Sequence, residues 1–181
     1  TTPPAPVSIE AEETNAYVDV TFDEGVYGNP NGASGLWAGD FRIEFSENGG
    51  NAKGARVSYV RQPDGETPEE ASMPDGGETT LRLFLSIDGD PTGVEEVAIY
   101  PVHRLAIFDE EGTPIEAETL LGSFVLTDIT PPFIAGAERS SDTEIILEFS
   151  EGVIGLDDAD PADFTVVETG SDGSVNPSLP S

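Results

Sequence analysis

Carboxylates are the residues best placed to do chemistry in this chain, and they gather in three short loops. Asp88 and Asp90 stand in DGDPTG, Asp109 with Glu110 and Glu111 in FDEEG, and Asp157, Asp158, Asp160 and Asp163 in LDDADPAD. Closely spaced carboxylates supply the hard oxygen ligands that calcium takes in sets of about six to eight, with backbone carbonyls filling the shell. No cluster completes D-x-D/N-x-D/N-G with a distal Glu, so none is an EF-hand loop. Each reads either as a calcium loop or as a solvated turn. A further grouping, Glu24 with Asp128 and Glu151, would bind calcium between two domains if a linker brings their loops together.

Aromatic side chains offer a second chemistry. Trp37 lies in GASGLWAGD, shortly after Tyr27. Exposed together, such rings stack on sugars and would make a carbohydrate site. The competing reading has Trp37 plugging the end of a β-sandwich beside Phe41. Catalysis finds less support. A glycosidase needs two carboxyls at a set separation across a sugar cleft, and sequence singles out no such pair among 36 acids. His103 is the lone histidine, cysteine is absent, and no G-x-S-x-G elbow occurs. The expectation is a protein that is not an enzyme.

The charge narrows the partners. Of 181 residues, 36 are acidic and 7 basic, a formal net charge of −29. Phosphate recognition needs clustered cations, which excludes nucleic acid as a partner class. Anionic membrane surfaces repel such a chain, and no apolar run approaches the ~18 residues of a membrane-spanning helix. No direct membrane insertion is expected.

The elements that must position these residues are strands. In AYVDVTF the residues Ala16, Val18, Val20 and Phe22 share one face, the period-2 pattern of a half-buried strand. FRIEF places Phe41, Ile43 and Phe45 inward; ARVSY does so with Ala55, Val57 and Tyr59, and LRLFLSI with Leu81, Leu83, Leu85 and Ile87. VEEVAIYPV is centred on Val97 and Ile99, LAIF follows, and GSFVLTD closes the series with Phe124 and Leu126. FDEEGTPI reads as a turn with Gly112 near its tip, and EEASM as one helical turn at most. NPNG, NGGN, PDGE, PDGGE and DGDPTG punctuate the runs. Arg42, Arg56, Arg61 and Arg82 fall mostly on outward positions, where they would pair across strands with acids. Seven or more short strands in about 120 residues predict an antiparallel β-sandwich.

The chain also repeats itself. NAYVDVTFDEGVYG and DTEIILEFSEGVIG align Phe22, Glu24, Gly25, Val26 and Gly28 with Phe149, Glu151, Gly152, Val153 and Gly155 at a constant offset of 127. GDFRI matches ADFTV at an offset of 123. A period of about 125 residues implies tandem domains, since solenoid repeats are far shorter. The expected organisation is an extended Pro-rich linker over residues 1–6, a sandwich over 7–128, an interdomain linker over 129–132 and a partial second domain over 133–181. The opening TTPPAPVS reads as a processed or excised chain. The second copy lacks counterparts of LRLFLSI, VEEVAIY and GSFVL, which leaves it cut mid-domain or completed by strands from elsewhere.

TFDEGVYG and EFSEGVIG resemble the strand-and-turn signature of bacterial Ig-like domains, repeated in secreted and cell-surface proteins of the S-layer and SwmB-like kind. AIFDEEGTPI is similar to their late hairpin, with Thr113 where Asn is usual, and DITPP resembles their linker. The resemblance implies an Ig-like fold, one complete domain plus the first strands of a second copy, outside the cell. It carries no catalytic site. The expected function is a structural or adhesive module of a repetitive, filament-forming surface protein, a spacer or assembly unit beside neighbouring repeats or identical subunits. A version working by β-strand exchange would use TTPPAPVSIE as donor, with Val7 and Ile9 as inward anchors. The alternative is a calcium- or carbohydrate-binding accessory module of a secreted enzyme.

Overall fold

Alternating apolar residues, broken every few positions by Gly, Pro, Asn and Asp, build nine antiparallel strands among the described residues. A computed structural model describes residues 2–153 and Phe164. The strands are β1 (Pro6–Ala11), β2 (Tyr17–Val26), β3 (Phe41–Ser46), β4 (Gly54–Arg61), β5 (Glu78–Asp88), β6 (Glu96–Pro101), β7 (Gly122–Val125), β8 (Ile134–Ser141) and β9 (Glu144–Phe149). The chain divides into two compact units, Thr1–Thr130 and Pro131–Ser181.

In the first unit one sheet runs β1-β2-β5-β4 and the other β3-β6-β7. Their inner faces enclose one apolar core. Val18, Val20 and Phe22 of β2 meet Leu81 and Leu83 of β5, with Phe41, Val97 and Ile99 from the second sheet. The expected inward sets of β2, β3, β5 and β6 are therefore the core, apart from Ala16, which is exposed just before β2. The fold is all-β and forms a sandwich of two antiparallel sheets.

Three local readings change. LAIF is not a strand: Phe108 makes only isolated bridges to Tyr27 and Pro114. Its place in the strand count is taken by β1, which starts at Pro6, inside the segment expected to be linker. In β4 a register shift falls between Val57 and Tyr59, with Ser58 as the extra residue. The bulge turns Tyr59 outward and Val60 into the core. Ser58 Oγ then donates to the Phe84 carbonyl at 3.0 Å.

The outer face of the first sheet is not simply solvated. Arg82, expected to point outward, does so but is buried. It lies directly across from Asp19, donating to both carboxylate oxygens at 2.8 Å, and donates to the Gly65 carbonyl at 2.7 Å. Its guanidinium sits 3.7 Å from the centre of the Tyr17 ring. Tyr17 donates to Glu66 at 2.7 Å, so the β4–β5 connection folds back over this face. Arg42 pairs with Glu44 and Glu118 and covers the Tyr100 ring. Arg61 donates instead to the carbonyls of Val60 and Pro68.

The two ends of the first unit are fastened at opposite ends of the β1–β2 ladder. At the leading end Ala5 and Asp23 exchange hydrogen bonds: the Ala5 N–H donates to Asp23 Oδ1 at 2.8 Å, and the Asp23 N–H to the Ala5 carbonyl at 3.0 Å. At the trailing end Asn15, in the β1–β2 turn, brackets Thr127 with two 2.8 Å hydrogen bonds. The Ile129 N–H and the Thr130 hydroxyl both donate to the Pro91 carbonyl. In the second unit β8 and β9 form an antiparallel hairpin, the repeat's counterpart of β1–β2.

Candidate metal centre

The 109–113 turn is built by its own sequence. The Asp109 N–H donates to the Thr113 carbonyl at 3.0 Å, and the Thr113 N–H donates to Asp109 Oδ1 at 2.6 Å. Gly112 takes φ of +80°, a left-handed conformation that suits glycine. A Cβ there would strike the Pro30 carbonyl, so the turn lies against the loop after β2. Tyr27 and Phe108 exchange two backbone hydrogen bonds at 2.9 Å and tie the turn to the end of β2.

Glu24 reaches the turn because β2 leaves its register with β5 between Thr21 and Val26. Irregular strand stretches of this kind re-aim side chains. Carboxylate oxygens of Glu24, Asp109 and Glu111 all lie within 4.8 Å of one another. Glu111 is exposed, Glu24 half-buried and Asp109 fully buried. Asp109 Oδ2 is buried without a hydrogen-bond partner.

The electrostatics fit three like charges. Burial pushes the Glu24 carboxyl up, and Asp109, Asp23 and Glu111 push it further. Burial also works against a charged Asp109, but hydrogen bonds from Thr113 and the Glu111 N–H outweigh it and hold that carboxyl down. The centre thus sets an anionic Asp109 beside a Glu24 that burial and neighbouring acids make reluctant to ionise.

The other expected groupings stay apart. Glu24 and Asp128 sit at opposite ends of the first unit, Asp128 beside Gly93 and next to the bracketed Thr127. They share no site, contrary to the expected interdomain group. Asp88 ends β5 and Asp90 is exposed in the following loop. Among the described residues neither belongs to a group of three acids within reach of one ion. Asp157, Asp158, Asp160 and Asp163 lie outside the described residues. His103 is exposed, its Nδ1 accepting from the Leu105 N–H.

Trp37 does not plug the sandwich; it is 68% exposed. Its indole lies over Gly39, which leaves no room for a Cβ. It lines a surface groove with Tyr59, Arg61, Met73 and Pro74, none of them acidic. Tyr27 is not part of that lining and lies instead against Gly76 and Gly77. The expected pair Tyr27–Trp37 is thus replaced by Tyr59–Trp37. Of the strand-exchange anchors, Ile9 packs on the core of its own chain, while Val7 is 64% exposed because a register shift falls between Pro6 and Ser8.

Sequence reasoning missed Glu95, which is fully buried. It accepts hydrogen bonds from the N–H groups of Ala52, Thr92 and Val94 and from the Thr92 hydroxyl. Burial opposes its charge, but the N–H donors of Thr92 and Ala52, with those of Glu95 and Val94, hold the carboxyl at about 2. Parity carried the signal: Glu95 shares its face with Val97 and Ile99. No family model, no curated protein and no solved structure matches the chain.

Proposed function

We propose that the chain is a non-catalytic spacer module of an extracellular, repetitive surface protein, built of Ig-like sandwiches in series. One observation carries the reading: the chain is fastened into its first sandwich at one end of the β1–β2 ladder and leaves it fastened at the other. The six residues of β1 span about 20 Å between those points. Repeated along a chain, that geometry adds length with every copy. The 127-residue offset between the β2 and β9 segments supports such repetition. Tension along the chain pulls β1 lengthwise against β2 and β7 lengthwise against β6. Ladder bonds sheared in this way must break together, whereas a hairpin pulled open at its end loses them one by one. The proline pair in DITPP restricts the backbone of the connecting segment.

Stretching the whole chain between beads tests this. The expected trace has one abrupt rip that releases about 400 Å, because β1 to β7 cover residues 6–125 at about 3.6 Å each. Smooth lengthening without a rip would remove the mechanical role. A carbohydrate-binding reading is favoured by the exposed Trp37 beside Tyr59 in an acid-free groove. Its test is a glycan array with the native chain and Trp37→Ala: retention lost in the variant supports it, and no retention by the native chain ends it.

A further inference from the structure

We propose that Glu24, Asp109 and Glu111 form a calcium site that staples the leading end of the first sandwich. Two independent observations meet there. Three carboxylates converge within 4.8 Å, and Asp109, fully buried, keeps Oδ2 without a hydrogen-bond partner. A buried, unsatisfied carboxylate oxygen is costly, and an ion or a water is what normally satisfies it. Three negative charges favour the ion. Oxygens on opposite sides of a calcium at 2.3–2.6 Å are about 4.6–5.2 Å apart, which suits this spread. All-protein oxygen cages are also commoner for calcium than for magnesium, which usually keeps several waters.

The ion would join two elements far apart in sequence. Glu24 belongs to the irregular end of β2, Asp109 and Glu111 to the 109–113 turn, and Pro30 of the intervening loop lies against that turn. Without a cation, like charges push these elements apart; with it, they are clamped beside the Ala5–Asp23 contact where the chain enters the sandwich. The repeat places Glu151 at the position corresponding to Glu24. The site stands on its own geometry and does not depend on the spacer reading.

The test is calorimetry on the whole chain: calcium titration after removal of metal, and thermal unfolding in calcium, in magnesium and in chelator. The variants are Glu24→Gln and Glu111→Gln, both at positions that keep contact with solvent. The native chain should bind calcium and melt higher in calcium than in chelator, with a smaller gain in magnesium. Each variant should bind at least about tenfold more weakly, since even outer-shell partners of a metal cost that much. In chelator each variant should melt at or above the native temperature, because a repulsive charge has gone. That sign separates a ligand from a carboxylate needed only for folding. Calcium and magnesium responses that are the same in native chain and variants would place any binding elsewhere. No response of the native chain to millimolar calcium would leave Asp109 Oδ2 to a water, and an equal gain in magnesium would remove the calcium assignment.

Discussion

Replacing Glu95 by Gln probes how a buried carboxylate stabilises the trailing end of the sandwich. Glu95 Oε1 accepts from the Ala52 N–H at 3.0 Å, and Oε2 from the N–H groups of Thr92 at 2.9 Å and Val94 at 3.3 Å. A Gln side chain must turn an NH2 toward one of these donor sets, and Gly50 lies so close to the carboxyl that even an added Cβ would strike Oε1. Folding lowers the carboxyl from its ordinary 4.5 to about 2, against the cost of burial and through those N–H donors. A pKa lower in the folded than in the unfolded state stabilises the fold at high pH. The contribution is present in full above pH 4.5 and is lost as pH falls toward about 2. It amounts to roughly 3 kcal/mol, or roughly 10 °C in melting temperature for a unit of this size.

The assay is urea unfolding of both chains, followed by far-ultraviolet circular dichroism from pH 7 to pH 2. Other carboxylates titrate in both proteins and largely cancel in the difference. Native minus variant stability should be roughly 3 kcal/mol or more at pH 7 and should shrink by roughly 3 kcal/mol across the acid window. A difference that stays constant from pH 7 to pH 2 would falsify the reasoning, since the lost contact would then be packing and not charge.

Other perturbations follow from the same contacts. Arg82→Met leaves Asp19 without its cation and uncovers the Tyr17 ring, and should cost about 2–3 kcal/mol in urea unfolding, below the ~3–5 kcal/mol of a fully buried pair because Asp19 keeps some solvent. Leu83→Ala empties a fully buried core position and should cost about 2–5 kcal/mol, with the unfolding slope unchanged. Gly25→Ala puts a Cβ 2.7 Å from the Gly77 carbonyl oxygen, so it should cost about 1–3 kcal/mol, read as a lower melting temperature. Val60→Asp should unfold the first unit whereas Tyr59→Asp should not, because the β4 bulge buries the first and exposes the second. Equal tolerance of both in circular dichroism would place the bulge elsewhere.

By itself the sequence determined the strand class and most of the inner face. Alternation has a period of two residues, and burial of one face is a local property of each run, so Val18, Val20, Leu81, Leu83, Val97 and Ile99 were legible. The turn at Gly112 was legible for the same local reason, since glycine there relieves a left-handed backbone. Two of the three residues of the candidate metal centre were legible too, because Asp109 and Glu111 share one turn. Tertiary structure alone decided the rest. Glu24 joins those two acids, and not Asp128, because strand register and the irregular end of β2 set which carboxylates meet. A single extra residue at Ser58 moves Tyr59 and Val60 to opposite faces, which no count of alternation reveals. Arg82 is buried because the β4–β5 connection returns over an outer face that alternation marks as solvent. Glu95 keeps its charge inside because backbone N–H groups from two separate loops converge on it, a meeting fixed by the packing of the two sheets and not by any neighbour in the chain.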